Sequence, residues 1–366
     1  MIYLDHAATT PADARVVDAM AACMRGQWKN PSAAYAGAGD ARAALRRART
    51  AVAALLNAAP QEIVFTSGGT EANNQALLAA RGGHAVVSAI EHASVLSAAR
   101  ALCAEVTLVP PDGDGRISAE AVARALRPDT ALISVQLANN ETGALQPVTE
   151  IAALARERRV PFHCDAVQAA GHIPVDVKSL GVDLLTLSGH KLYGPRGIGA
   201  LFVRQGVAVP PLLRGGGQEL GLRAGTENVP AIVGLGVAAE LAQADMGAEV
   251  ERERALLAGF IADVRARVPG TRLLAEHAPR LPGIAALLMP RLDAERAIAA
   301  LDVRGVEVSG RAACASRERA PSHVYTAMGL SPQDAARVIR VSIGRGTTEK
   351  DLRHAAEAFG EVYFRV

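Results

Sequence analysis

The stretch Asp183-Leu184-Leu185-Thr186-Leu187-Ser188-Gly189-His190-Lys191-Leu192-Tyr193-Gly194-Pro195-Arg196-Gly197 decides how the chain is read. A leucine-rich run ends in Ser-Gly, presents one lysine and turns on Gly194-Pro195. A strand that stops there sets the lysine on the rim of a sheet, where open α/β sheets hold their ligands. The lysines of the chain are Lys29, Lys178, Lys191 and Lys350. Only Lys191 follows an apolar strand, flanked by His190 and by glycines. An amine that acts as a nucleophile needs desolvation or cationic neighbours to lower its pKa. A solvated lysine at a strand end explains this stretch equally well when it is taken alone.

Working outward, short β-branched or apolar runs recur at 63–65, 85–88, 105–109, 131–136, 160–164 and 199–203. Ala-rich stretches with helical patterning stand between most of them, after earlier helices at about 12–25 and 37–56. This alternation predicts an α/β fold, a mostly parallel central sheet with helices on both faces. From about Val229 a long helical stretch leads away. The runs at 272–274, 285–289, 306–308 and 338–343, with helices at 294–301 and the chain end, predict a smaller α+β domain. The expected division is a large domain over 12–250 and a small one built from 1–11 and 251–366.

A chain of 366 residues exceeds one small core, so two domains are the ordinary expectation. Half of it is hydrophobic, 21% is charged and the net charge is +2, which points to neither nucleic acid nor a lipid surface. Arg42, Arg46, Arg47 and Arg49 form the one basic cluster, and Arg42, Arg46 and Arg49 are expected on a solvated helix face. Cys23, Cys103, Cys164 and Cys314 show no C-x-x-C spacing and imply neither zinc nor a disulfide framework. The apolar run at 229–242 is broken by Pro230 and Glu240 and is not expected to span a membrane. With no leader peptide before the strand-like Ile2-Tyr3-Leu4, a cytoplasmic enzyme is expected.

Four features carry chemistry. Ser67-Gly68-Gly69-Thr70 lies between a strand and a helix, so free N–H groups and a hydroxyl can cradle a phosphate; a plain helix cap explains it as well. It is no P-loop, because no Gly-Lys-Ser/Thr follows. His163-Cys164-Asp165-Ala166-Val167-Gln168 ends another apolar strand and supplies a carboxylate and an amide. Glu91-His92-Ala93-Ser94 supplies an imidazole at a strand end, where a structural histidine is the commoner case. A metal set of His163, Asp165 and His190 has no ligand of recognisable spacing to complete it. A phosphate cradle, a carboxylate, an imidazole and an amine at strand ends are together what pyridoxal 5′-phosphate (PLP) requires.

Across nearly its full length the chain resembles the cysteine desulfurases of the class V aminotransferase, fold-type-I group of PLP enzymes, the NifS/IscS-like proteins. The resemblance is carried by Tyr3-Leu4-Asp5-His6-Ala7-Ala8-Thr9-Thr10, by Phe65-Thr66-Ser67-Gly68-Gly69-Thr70-Glu71-Ala72-Asn73-Asn74 and by Ala138-Asn139-Asn140-Glu141-Thr142-Gly143. Gly215-Gly216-Gly217-Gln218-Glu219, Arg223-Ala224-Gly225-Thr226-Glu227-Asn228 and Arg340-Val341-Ser342-Ile343-Gly344-Arg345 add to it, beside the Asp165/Gln168 and Lys191 stretches. It implies that Lys191 joins the cofactor aldehyde, Asp165 holds the ring nitrogen, Gln168 bonds the ring hydroxyl, and His92 stacks on the ring and acts in catalysis by helping to move protons. Gly69, Thr70, Ser188 and His190 then bind the phosphate, with Thr226 arriving from the other subunit of a homodimer. Arg340 and Asn140 hold the substrate carboxylate, a role suited to a planar guanidinium.

By the same resemblance Cys314, in Ser309-Gly310-Arg311-Ala312-Ala313-Cys314-Ala315-Ser316, receives sulfur from L-cysteine as a persulfide and alanine leaves. A sulfur-acceptor protein, as in iron–sulfur cluster assembly, is the implied partner. A small buried hydrophobe is the plainer reading of a lone cysteine. The family commonly has Ser-Gly-Ser-Ala-Cys here, and this chain has Gly310-Arg311-Ala312-Ala313-Cys314. Arg311, Arg317 and Arg319 are expected to favour the Cys314 thiolate modestly. The spacing from Cys314 to Pro321-Ser322-His323-Val324 resembles the long-loop members, while the end at Val366 lacks their C-terminal extension. A selenocysteine lyase or a class V aminotransferase is the alternative activity, and the latter needs no Cys314.

Overall fold

The computed structural model describes residues 1–310 and 322–364. The chain opens with β1 (Ile2–Tyr3), α1 (Ala14–Gly26) and α2 (Gly39–Leu55). Strand and helix then alternate as β2 (Ile63–Thr66), α3 (Gly69–Leu77), β3 (His84–Ser88), α4 (Ala93–Leu102), β4 (Glu105–Val109), α5 (Ala119–Ala125) and β5 (Thr130–Ser134). They continue as α6 (Val148–Arg158), β6 (Phe162–Asp165), α7 (Val177–Leu180), β7 (Leu184–Ser188) and β8 (Gly199–Val203). After α8 (Val229–Arg267) come β9 (Arg272–Leu273), β10 (Ile284–Leu288), α9 (Ala294–Asp302) and β11 (Val306–Glu307). Beyond Ser322 lie α10 (His323–Ala327), α11 (Pro332–Ala335), β12 (Val338–Ser342) and α12 (Glu349–Phe364).

Seven strands form the central sheet in the order β2-β8-β7-β6-β5-β3-β4. Only β8 runs antiparallel to its neighbours among the described strands of this sheet. Alternation of side chains along each strand feeds two cores. Leu185, Leu187, Ala200 and Phe202 enter one, whereas Leu184, Leu201 and Val203 enter the other. Helices cover both faces, which is why these strands read as continuous apolar runs. The expected strand over 131–136 ends at Ser134, yet Val135 and Leu137 still donate to the β6 residues His163 and Asp165. The Asp165 segment is thereby tied to the neighbouring rim.

A third core gathers around the antiparallel sheet β12-β10-β9, the parallel pair β1–β11 and helices α9 and α12. Helix α8 is 39 residues long and is started by Asn228, whose side chain accepts from Ala231 N. Its first half, through Ala242, packs in the first core, and Leu257, Phe260 and Val264 pack in the third. By length and composition α8 is apolar enough to cross a bilayer, but it lies against α1, α2 and α12. Close approach to α2 needs Gly236, because a Cβ there would stand 2.6 Å from Ala48 Cα. The basic cluster is only half solvated. Arg42 donates to the carbonyls of Pro31 and Ala33, and Arg49 pairs with the buried Glu219. That departs from the solvated face expected for Arg42 and Arg49, because nearby loops offer acceptors the helix pattern does not reveal.

Candidate active site

The C-terminal ends of β2, β3, β5, β6 and β7 face one cavity of about 310 Å³, within the size range of small-molecule sites. Gly69, Thr70, His92, Asn140, Asp165, Gln168, Ser188, His190, Lys191 and Arg340 all line it. Lys191 stands on a single helical turn, Gly189–Lys191, directly after β7. Its Nζ donates to Ala7 O and, at 2.8 Å, to Ala8 O. The turn is clamped from the N-terminal segment. Thr10 N and Oγ1 donate to His190 O at 2.9 and 3.0 Å, and Tyr193 N donates to Thr10 Oγ1. From the other side His172 Nε2 donates to Lys191 O at 2.7 Å.

Asp165 closes β6 and is 6% exposed. Its Oδ2 accepts from Asn73 Nδ2 at 2.8 Å and its Oδ1 from Val167 N at 2.9 Å. Behind it lies Glu91, wholly buried, whose carboxyl is pushed well up by burial and further by the negative Asp165. The charged form of Glu91 is thereby disfavoured, and the carboxyl group that lines the cavity is that of Asp165. Gln168 Nε2 donates to Ala7 O at 2.8 Å. His92 starts α4, its Nδ1 accepting from Ser94 N at 3.1 Å.

Helix α3 points its N-terminus at the same cavity, so the first N–H groups of α3 face it without intrahelical partners. The turn into α3 places Gly68 at φ +151°, and at Gly69 a Cβ would meet Val167 Cγ2 at 2.9 Å. Only glycine leaves that cradle open. His190 is pushed down to about 4, first by burial and then by the positive Lys191 and Arg196, so it meets an anion as a neutral imidazole. His163 is a core residue. Its two ring nitrogens meet Ser134 Oγ and Thr186 Oγ1 at 2.8 and 3.1 Å, and burial takes it down to about 4. Among the described residues no cluster of three His, Cys, Asp or Glu could hold a metal ion.

The small sheet supplies one side of the cavity. Arg340, on β12, is 1% exposed and donates to Asn140 O at 2.9 Å and to Asp5 Oδ1 at 2.6 Å. Thr226 is exposed and is not among the residues that line this chain's own cavity. Cys314, with Arg311, Arg317 and Arg319, lies outside the described residues. The residues on either side of that segment are fastened beside the cavity. Ser309 N donates to Arg340 O at 3.2 Å, Ser322 Oγ to Glu141 Oε2 at 2.6 Å and His323 Nε2 to Glu91 O at 2.9 Å.

Reading the sequence missed Asp5, Asn73 and Ser94 as working side chains, and the Ala7 and Ala8 carbonyls as partners of Lys191. Asp5 and Asn73 stand inside quoted motifs, which was the available signal. Backbone carbonyls carry none.

An amine, a carboxylate, a helix start and a guanidinium around one cavity are the parts of a group-transfer active site. The sequence pattern of the class V aminotransferases matches residues 2–354, and the chain belongs to that family. Within it, the chain is similar to cysteine desulfurase IscS of Dictyoglomus turgidum, 40% identical over 370 residues that cover 99% of this chain and 94% of that one. The solved structure of a NifS-like protein from Rickettsia africae matches with a TM-score of 0.92 at 32% identity, covering 100% and 99% of the two chains. That of SspA in complex with cysteine matches with a TM-score of 0.84 at 36% identity, covering 94% and 99%.

Proposed function

We propose that this chain is a PLP-dependent cysteine desulfurase that converts L-cysteine to L-alanine and leaves the sulfur on Cys314 as a persulfide for an acceptor protein. The observation that carries the reading is the shared cavity of Lys191, Asp165, the Gly69–Thr70 helix start and Arg340. The donor set fits PLP. The cradle at Gly69 is one that a Cβ would fill, and Asp165 is a buried carboxylate with two fixed donors behind it. When bound, PLP supplies an electron sink for the bonds at the substrate's Cα.

The residues of the chain divide the remaining work. Arg340 pairs with the substrate carboxylate, pre-set by Asp5 and by Asn140 O. Asp165 would keep a proton on the ring nitrogen by charge. Gly69, Thr70, Ser188 and His190 would hold the phosphate, and Gln168 would donate to the ring hydroxyl. His92 would lie against the ring. Lys191 would hold the aldehyde carbon and, as a free amine, would carry the proton of the substrate's Cα. At the sulfur, the Cys314 thiolate forms an S–S bond as the substrate's Cβ–S bond breaks. The balance is L-cysteine plus thiol giving L-alanine plus persulfide, with no outside oxidant. Thr226 completes the phosphate site of a second subunit, which makes the working form a homodimer. The fastening of Ser309, Ser322 and His323 beside the cavity supports delivery of Cys314 to it.

The test is incubation of purified protein with L-cysteine, measuring alanine, sulfide and persulfide-bearing Cys314 together. Lys191→Ala is expected to lose the visible absorption of the lysine-linked cofactor and essentially all turnover. Cys314→Ser is expected to bind L-cysteine and form no enzyme persulfide. Alanine formation undiminished in Lys191→Ala, or a borohydride-reducible linkage at another lysine, overturns the assignment.

A further inference from the structure

We propose that Asn73 and Ser94 are positioning residues that join Asp165 to His92 in one hydrogen-bonded chain of fixed proton direction. Asn73 Nδ2 lies 2.8 Å from Asp165 Oδ2 and 2.9 Å from Ser94 Oγ. Ser94 Oγ lies 2.8 Å from His92 Nδ1, and Ser94 N donates to the same nitrogen at 3.1 Å. These contacts admit one arrangement. A carboxylate only accepts, so the Asn73 group facing Asp165 is its NH₂. That NH₂ has two protons, and the second goes to Ser94 Oγ. The Ser94 hydroxyl, accepting there, turns its own proton to His92 Nδ1. With two donors aimed at it, Nδ1 keeps its lone pair and the neutral ring carries its proton on Nε2.

A second observation fits the same account. Asn73 is 1% exposed and its Oδ1 has no hydrogen-bond partner. Buried amide oxygens nearly always find a donor. Here the amide stays turned the other way, because both of its protons are engaged between Asp165 and Ser94. Asp165 is thus fixed on Oδ2 by Asn73 and on Oδ1 by Val167 N. One edge of the cavity is a carboxylate held as an acceptor, and another is an imidazole held as an Nε2–H tautomer. The chain of contacts stands on this protein's geometry alone. Its purpose, aiming Asp165 at the ring nitrogen and His92 at the ring face, rests on the cofactor reading above.

The experiment has two readouts. Nitrogen-15 spectra of the histidine-labelled protein without PLP, with His92 assigned by His92→Gln, report the tautomer. Equilibrium titration with PLP reports affinity. In the wild type, Nδ1 of His92 is expected to show an acceptor-type shift. Ser94→Ala, which takes the hydroxyl donor away from Nδ1, is expected to mix the tautomers and weaken PLP by about tenfold, the size of one buried hydrogen bond. Ser94→Thr, which keeps the hydroxyl, is expected to restore both. Asn73→Ala is expected to repeat the Ser94→Ala result. A protonated Nδ1 in the wild type overturns the proposal, as does a Ser94→Ala protein unchanged in either readout. Wild-type protein that bound no PLP would instead sink the cofactor reading, and the imidazole spectra alone would then decide the hydrogen-bonded chain.

Discussion

At Glu253 a single carboxyl outside the cavity sets a pH dependence. It is 4% exposed and packs on Gly283, where a Cβ would lie 2.8 Å from its Oε2. Burial first, and then the charge of Glu249, push it to about 7, against the pull of Arg252 and Arg345. Between pH 4.5, its ordinary value, and about 7 the folded chain holds more protons than the unfolded one. Stability therefore falls as pH rises through that window, by a displacement on the order of 3 kcal/mol. Glu253→Gln is expected to flatten the pH dependence of urea unfolding from 4.5 to 7 and to exceed the wild type in stability above it; an unchanged slope would show the carboxyl to be solvated. At this scale the sequence was legible where local grammar marks a residue, as at Lys191 between an apolar strand and Gly194-Pro195. The role of His163 is not local, since it spends both ring nitrogens on Ser134 and Thr186 of neighbouring strands. The motif that contains Asn73 does not announce its two partners, which stand 21 and 92 residues away.

Elements were easier to read than their contacts. The apolar runs fix the strands to within a residue or two, because a strand covered on both faces is mostly apolar along its length. Which helices touch most closely depends on single small residues. Gly236→Ala is expected to lose about 1–3 kcal/mol by urea unfolding, since the new methyl must push α8 from Ala48; no loss would mean that the helices part freely. The segment after β8 gives a sharper case. Glu219 and Leu220 both adopt left-handed backbone, at φ 47° and 60°. The turn persists because Glu219, 3% exposed at its side chain, takes both Arg49 nitrogens and Phe65 N. Arg49→Met is expected to cost about 3–5 kcal/mol by leaving that carboxylate buried and unpaired. Arg49→Met combined with Glu219→Gln is expected to be milder than Arg49→Met alone. A double variant no better than the single would argue against an unpaired charge as the cause.

For the whole molecule, the proposed homodimer makes each cavity composite. Mixing Lys191→Ala with Thr226→Ala subunits gives, in each mixed dimer, one site damaged twice and one left whole. Activity above either parent is expected after subunit exchange, and none would place Thr226 in its own subunit's site. The α/β class and the strand-end site were open to reading because both follow from periodicity and from motif order. How the ends of the chain meet was not, since no local pattern says that β1 pairs with β11 or that Ala7 lodges between Ser342 and Lys191.

That lodging has a consequence for how the protein is made. The segment around Ala7 is made early, yet Ala7 N waits for Ser342 Oγ, 335 residues later. At roughly 5–20 residues per second, the wait is on the order of tens of seconds. Over that time the segment that caps Lys191 and clamps its turn has no partner on the small sheet. The nascent chain can form β2 to β8 and bury their two cores while the amine's surroundings are still incomplete. Completion of the cavity around Lys191 therefore arrives with the last-made strand and not with the sheet that carries the lysine.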